Sequence, residues 1–325
     1  MKAVLCREWG GPESLRIEEV GSPPLAPNEA RIRVHACGVN FADTLMIAGK
    51  YQVKPDFPFT PGLEAAGEVI EVGAKVTHLR RGQRVLAVLR FGGGYAEEIA
   101  INADAVVPIP DAMDYVTAAA FPVAYGTSHF ALTHRGHLKA GENLLVLGAA
   151  GGVGLTAVEI GKQLGARVIA AAGGPEKLAV AREHGADELI DYTKESIRDR
   201  VRELTGGLGA DVVYDPVGGD AFDEALRAVN WEARMLVIGF ASGRIQSVPA
   251  NLILVKNISV IGVVWGAQAA RDPVLISRNL AELLRWWEKG RLKPVVAKTF
   301  PLVEIGAAMQ ALLSRRYAGK IVLEL

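Results

Sequence analysis

Short runs in which apolar and polar residues alternate fill the first third of the chain. Residues 3–9, 14–20 and 30–36 alternate in this way between turn residues, so each predicts a strand. Gly21-Ser22-Pro23-Pro24 and Ala26-Pro27-Asn28 punctuate them. The pattern predicts further strands at 66–72, 84–89, 95–101 and 105–109, a short helix within 40–49, and a loop over 50–62. Many short strands at this spacing point to a partly closed barrel. From 114 to 132 the pattern turns helical, and strands then alternate with helices. Strands are predicted at 144–147, 167–172, 188–190, 211–214, 235–239 and 258–263. Helical patterns lie between them, among them 155–165, 175–184 with Pro175 at its first position, and 222–229. Six strands with intervening helices make a parallel, doubly wound sheet, so the class is α/β. After Gly266 come a long helix at 273–289, a strand at 297–300, a helix at 304–313 and a strand at 320–325. That tail has the β content of the first stretch and is expected to return to it.

The first strand of the alternating part ends in Gly148-Ala149-Ala150-Gly151-Gly152-Val153-Gly154, and the helical pattern begins at once. Strand, glycine turn and helix is the setting of a dinucleotide-binding fingerprint. Glycine lets backbone approach a pyrophosphate, and the helix N-terminus supplies unpaired N–H donors and the positive end of the helix dipole. In G-x-G-x-x-G register the positions are Ala149, Gly151 and Gly154, so the first glycine is replaced. The cofactor's 2′ position is tested about 20 residues further on. An NAD site places Asp or Glu there, whereas this chain has Ala171-Ala172-Gly173-Gly174, with Lys177 one turn later. With no carboxylate to repel a 2′-phosphate and a cation nearby, the residues favour NADPH over NADH.

Composition narrows the function classes. Of 325 residues, 50% are hydrophobic and 22% charged, which suits two domains with substantial cores. Net charge is zero, so no basic excess points to nucleic acid or to a membrane surface. No run approaches the roughly 18 apolar residues of a membrane helix, and Met1-Lys2 leads directly into a strand pattern without a signal-peptide core. Two cysteines, Cys6 and Cys37, exclude a disulfide framework and a four-cysteine zinc lobe, and a reducing cytoplasm is the expected location. His134 and His137, three apart in a loop pattern, read as surface histidines.

Several motifs then converge. Gly38-Val39-Asn40-Phe41-Ala42-Asp43, Pro61-Gly62-Leu63-Glu64-Ala65-Ala66-Gly67, Arg81-Gly82-Gln83-Arg84-Val85, Ala124-Tyr125-Gly126-Thr127, the 149–154 turn and Asp211-Val212-Val213-Tyr214-Asp215 span nearly the whole length. In these the chain resembles the medium-chain dehydrogenase/reductase superfamily, in its zinc-free quinone oxidoreductase (zeta-crystallin-like) branch. The resemblance implies a GroES-like, partly open β-barrel domain from residues 1–122 and 267–325, and a Rossmann domain with a six-stranded sheet from 123–266. It implies an NADPH site, a small electrophilic acceptor and commonly a homodimer. By the same resemblance Asn40 faces the nicotinamide, and Thr127 lies near the cofactor. Ala150, Gly151, Gly152 and Val153 meet the pyrophosphate, and Gly173, Lys177 and Tyr192 meet the 2′-phosphate. Phe240, Ser242, Val264 and Trp265 lie at the nicotinamide end, and Arg316 comes from the returning tail.

Zinc relatives place cysteine and histidine where this chain has Asn40 and Leu63. An amide is a poor zinc ligand and an isobutyl group is none, so no metal is expected. Hydride addition to a quinone or an α,β-unsaturated carbonyl needs none, because the incoming charge spreads onto an oxygen that hydrogen-bond donors can stabilise. Asn40 either donates such a bond or fixes the cofactor, and the second is favoured. Glu64 is read as an acceptor of backbone hydrogen bonds, and Asp43 as a helix-start carboxylate. Many relatives carry a tyrosine where this chain has Leu45. Tyr51 stands either as its replacement or as an aromatic packed into the wall of the site, and packing is the commoner role of tyrosine. Two alternatives remain: an enoyl thioester reductase, and a non-catalytic NADPH-binding structural or nucleic-acid-binding protein.

Overall fold

The computed structural model describes residues 1–268 and 271–325 and divides into two compact units. The first comprises Met1–Val123, Gly266–Lys289 and Pro294–Leu325, and the second Ala124–Trp265 and Gly290–Lys293. The short return of 290–293 to the second unit was not foreseen, and residues 269–270, inside the expected tail, lie outside the described residues.

The first unit is built on the strand Glu29–Val39. Its side chains alternate between buried and part-exposed up to Val34, then are buried without interruption from Ala36 to Val39. The change follows from its partners. It pairs with Glu64–Val72 from Ala30 to Cys37; its first half pairs also with Glu98–Asn102, and its last residues, Ala36 to Val39, pair antiparallel with the C-terminal strand Lys320–Glu324. Two register shifts against Glu64–Val72, at Arg31/Ile32 and Val34/Ala36, bend the strand. The seven-stranded sheet continues through Arg84–Val88 to Val106–Pro108 at one end and through Lys320–Glu324 to Val296–Pro301 at the other. A two-stranded sheet of Lys2–Leu5 and Arg16–Glu19 is tied in by bridges Ala3–Ala96 and Cys6–Phe59. The curved sheet closes over Ile32, Met46, Ile47, Val69, Tyr95, Ile99, Met309 and Leu323. This is the partly closed barrel that the alternation predicted, and the GroES-like domain that the resemblance implied.

The second unit holds a six-stranded parallel sheet. Its order is Glu188–Asp191, Arg167–Ala172, Asn143–Leu147, Ala210–Asp215, Val229–Val237, Ser259–Gly262. The order reverses between Asn143–Leu147 and Ala210–Asp215, the switch point at which doubly wound folds bind ligands. The central strands are continuous apolar runs because helices cover both of their faces. Helix Gly152–Gln163 buries every residue from Gly154 to Gly161. Ser128 Oγ, 2.8 Å from both Tyr214 Oη and Thr156 Oγ1, gives the fully buried Tyr214 phenol its partner.

Three expectations need correction. The helical stretch 114–132 breaks into Tyr115–Ala119 and Pro122–His129, followed by a π-helical turn Phe130–Arg135, because Pro122 cannot continue the preceding helix. The helix placed at 222–229 runs instead from Gly219 to Arg227, and Val229 already starts a strand. Exposed Trp231 and Glu232, the latter at φ 59°, interrupt that strand's apolar pattern and hide its first half from sequence reading. The N-terminal strand ends at Leu5 rather than continuing to Trp9.

Candidate functional site

In the second unit the turn after Asn143–Leu147 is made by Gly148, at φ 59°, whose carbonyl accepts from Gly151 N–H at 2.9 Å. Gly151 is the N-cap, and no side chain caps the helix, so the first-turn N–H groups of Gly152, Val153 and Gly154 are left for an outside acceptor. A Cβ on Gly154 would overlap the Gly148 carbonyl, which explains why helix and strand can approach so closely only with glycine there. Ala149 and Ala150 are buried behind the turn. This cradle of small residues and unpaired donors fits a pyrophosphate.

Strand Arg167–Ala172 ends without an acid, and Gly173 and Gly174 follow. Tyr192 sits beside Gly173, since a Cβ there would lie 3.2 Å from its ring. Half-buried Lys177 stands in the first turn of Pro175–Glu183, the helix that Gly174 begins. The sequence reading missed Asp191, at the end of the neighbouring strand. Its Oδ1 accepts from Thr193 Oγ1 at 2.6 Å and from the N–H groups of Gly174 and Thr193, both at 3.1 Å. The Thr193 hydroxyl first, and then the Gly174 N–H, hold this carboxyl below its ordinary range. One acid thus ties the loop after the second strand to the loop after the third, with Lys194 Nζ 3.7 Å from its Oδ2.

Beyond the switch point, Phe240 and Ser242 lie against Gly218 and Gly219: a Cβ on Gly218 would sit 3.3 Å from the Phe240 ring, and one on Gly219 2.8 Å from Ser242 Oγ. Ser242 Oγ also engages Arg244 backbone, whose N–H it accepts at 3.2 Å. The Trp265 ring fills the place of a side chain on Gly126, the residue before Thr127 in the chain, while Val264 is exposed. Asp215, noted in sequence only as part of a motif, ends the central strand fully buried. Its Oδ1 accepts from Val217 and Gly218 N–H, its Oδ2 has no partner, and burial pushes its pKa up to about 6.

The first unit contributes a buried polar cluster around Asn40, which is 7% exposed. Asn40 precedes the helix Phe41–Ile47, and its backbone N–H donates to Asp43 Oδ2 at 2.8 Å, as a helix-start carboxylate should accept. The Asn40 side chain has two charged partners. Its Nδ2 donates to Glu64 Oε1 at 2.9 Å, and its Oδ1 accepts from Lys320 Nζ at 2.6 Å. Lys320 also donates to Glu64 Oε1 at 2.8 Å and to Val39 carbonyl at 3.1 Å, and Glu64 Oε2 accepts from Val123 N–H at 2.8 Å. Glu64 therefore takes one backbone bond, as read, but its main partner is a lysine that the sequence reading passed over. The signal was present: Lys320 leads directly into the apolar run Ile321-Val322-Leu323, and a charge on a core-facing strand position asks for a buried partner. Gly38 is required beside them, because a Cβ there would overlap Glu64 Oε1.

Asp43 is fully buried. Besides the Asn40 N–H, its Oδ2 accepts from Tyr95 Oη at 2.7 Å, its Oδ1 has no partner, and burial lifts its pKa to about 6. Half-buried Tyr51 packs against the barrel core, and burial, followed by the charge of Asp43, raises its phenol. Arg316 is exposed, and among the described residues no hydrogen bond or ion pair joins its side chain to this cluster; Lys320 is the tail residue that reaches Asn40. Leu63, at the position where zinc relatives carry histidine, is buried in the barrel core. Among the described residues no group of three or more His, Cys, Asp or Glu side chains could hold a metal ion.

The family model described as alcohol dehydrogenase GroES-like domain matches residues 26–111, and the one described as zinc-binding dehydrogenase matches 152–282. The quinone oxidoreductase-like protein 2 homolog of Nematostella vectensis is 43% identical over 99% of this chain and 88% of its own length. The Escherichia coli quinone oxidoreductase, crystallised with NADPH, superposes with a TM-score of 0.93 at 31% identity over the whole of both chains. The CurK enoyl reductase superposes with a TM-score of 0.90 at 27% identity, covering 99% of this chain and 98% of its own. With barrel, doubly wound sheet, glycine turn and full-length relatives in agreement, the chain belongs to the quinone oxidoreductase family of the medium-chain dehydrogenase/reductase superfamily.

Proposed function

We propose that the protein is an NADPH-dependent oxidoreductase that passes hydride to a quinone or another α,β-unsaturated carbonyl without a metal. One observation carries the reading above all. Where zinc relatives place a thiolate ligand, this chain holds a carboxamide locked by Lys320 and Glu64. That group donates and accepts hydrogen bonds and is a poor ligand for zinc. NADPH, when bound, supplies the hydride. The first-turn N–H groups of Gly152 and Val153, with Ala150 and Gly151, cradle its pyrophosphate. Gly173, Lys177 and Tyr192 surround the 2′-phosphate, for which the glycine-ended strand leaves room. Thr127, Phe240, Ser242, Val264 and Trp265 hold the nicotinamide end. What remains for the chain is to orient the acceptor and to offer donors to the oxygen on which charge develops.

A second reading, reduction of an enoyl thioester, is favoured by the likeness to the CurK enoyl reductase and uses the same hydride addition to a conjugated carbon. NADPH oxidation followed with a naphthoquinone, a simple enone, a short enoyl-CoA and no acceptor separates the readings. Preference for the thioester supports the second. Tight NADPH binding with no turnover on any acceptor would leave a non-catalytic NADPH-binding protein. We further propose a homodimer formed through the sheet edge Ser259–Gly262; Leu254 and Val255 of the preceding helix Ala250–Lys256, and Val264 just after the strand, are exposed. Among the described residues no helix is long and apolar enough to cross a membrane, and two buried free cysteines suit a reducing cytoplasm, where we place the protein.

A further inference from the structure

The groups around Asn40 decide which way its amide faces, and the consequence rests on the reductase reading above. A lysine ammonium carries donors only, and an ionised carboxylate acceptors only. The atom 2.6 Å from Lys320 Nζ must therefore be the carbonyl oxygen, and the atom 2.9 Å from Glu64 Oε1 the amino nitrogen. A reversed amide would set donor against donor and acceptor against acceptor in a buried place. The holding groups are themselves held. Lys320 is fixed by the Val39 carbonyl and by Glu64, and Glu64 by Val123 N–H. Asn40, Glu64 and Lys320 are 7%, 0% and 7% exposed, so water does not compete effectively for these bonds. An amide nitrogen has two protons, and one is spent on Glu64. The other has no partner among the described residues.

We propose that Lys320 is the positioning residue of this site: with Glu64 it locks the Asn40 amide so that one N–H, and no acceptor, is presented to the ligand. The matching chemistry is a carbonyl oxygen, either that of the electron-poor acceptor or that of the nicotinamide carboxamide. On the acceptor, the C4–H bond of NADPH breaks, the hydride bonds the conjugated carbon, and the displaced π pair moves to the carbonyl oxygen. The Asn40 N–H stabilises that oxygen, which takes its proton from water, and the cofactor leaves as NADP⁺. On the carboxamide, the same N–H sets the ring orientation for that transfer.

The test compares wild type with Lys320→Met, Lys320→Arg and the double variant Glu64→Gln/Lys320→Met. The double variant leaves no unpaired buried charge and keeps the test alive if the single variant does not fold. Without cofactor, the two Nδ2 protons of Asn40 in ¹⁵N-labelled wild type should exchange with solvent at clearly different rates, and in the Met-containing variants alike. With a naphthoquinone, the Met-containing variants should lose about tenfold or more in kcat, with Lys320→Arg recovering much of it. If the N–H serves the acceptor, the isotope effect of [4-²H]NADPH on kcat rises while NADPH Kd, measured by fluorescence, is unchanged. If it serves the carboxamide, that Kd rises as well. Equal proton exchange in wild type overturns the assignment. So do folded Met-containing variants that keep both the wild-type isotope effect and the wild-type NADPH affinity, whatever their kcat. A wild type that binds NADPH but turns over no acceptor overturns the assignment together with the reductase reading.

Discussion

Asp43 shows how one side chain serves both fold and site. It starts a helix by accepting the Asn40 N–H, it holds the Tyr95 phenol, and it lies fully buried with one oxygen unpartnered. Because folding lifts its pKa from 3.8 to about 6, the folded chain keeps a proton that the unfolded chain has already released across that range. Stability from this group is therefore greatest below pH 3.8 and falls as pH rises towards 6. In Asp43→Asn, whose amide oxygen can still accept from both donors, melting temperature should fall less than in wild type between pH 4 and 6. Parallel curves would remove Asp43 from the titration. Lys177 belongs to the same scale. Lys177→Ala should raise the KM for NADPH by about tenfold, the loss of one charge-assisted hydrogen bond, and leave that for NADH nearly unchanged. An unchanged NADPH value would take Lys177 out of the site. Asn40→Ala should lower turnover more than it weakens NADPH binding, and equal losses would mean simple anchoring.

Among the elements, strands and helices with a strong period were legible in the sequence alone. Arg167–Ala172 matches its predicted bounds, and Gly152–Gln163 follows the glycine turn as the motif required. What could not be read was pairing between distant strands. Nothing local shows that Lys320 lies beside Val39, because that depends on the antiparallel register of Ile321 with Val39. The Asn40 cluster was therefore half legible: the motif marked Asn40, Asp43 and Glu64, but the residue that orders them arrives from the far end of the chain. Asp191 was missed for the same reason, since it meets Gly174 across neighbouring strands. The turn itself yields a sharp expectation. In Gly154→Ala the new methyl group meets backbone, which cannot swing aside, so about 1–3 kcal/mol of stability and most NADPH affinity should be lost. Gly21→Ala, with nothing within 4 Å, serves as the neutral control. Equal melting temperatures and NADPH affinities for the two variants would contradict this account of the turn.

At the scale of the whole molecule, the proposed homodimer follows from an edge strand with exposed apolar neighbours, a surface that soluble chains usually cover. Leu254, 76% exposed, and Val255, 62% exposed, form no part of their own unit's core, so Leu254→Asp/Val255→Asp should fold normally. Sedimentation should show this variant as a monomer and the wild type as a dimer, and identical profiles would discard that surface. On the proposed function, the entire chain binds NADPH and passes its hydride to an electron-poor carbon without metal help. The most direct measurement is quinone-dependent NADPH oxidation by purified protein whose metal content is determined on the same sample. Saturable turnover with zinc no higher than trace is the predicted result. Activity that rises and falls with stoichiometric zinc, or no activity with quinone, enone or enoyl thioester, would contradict it.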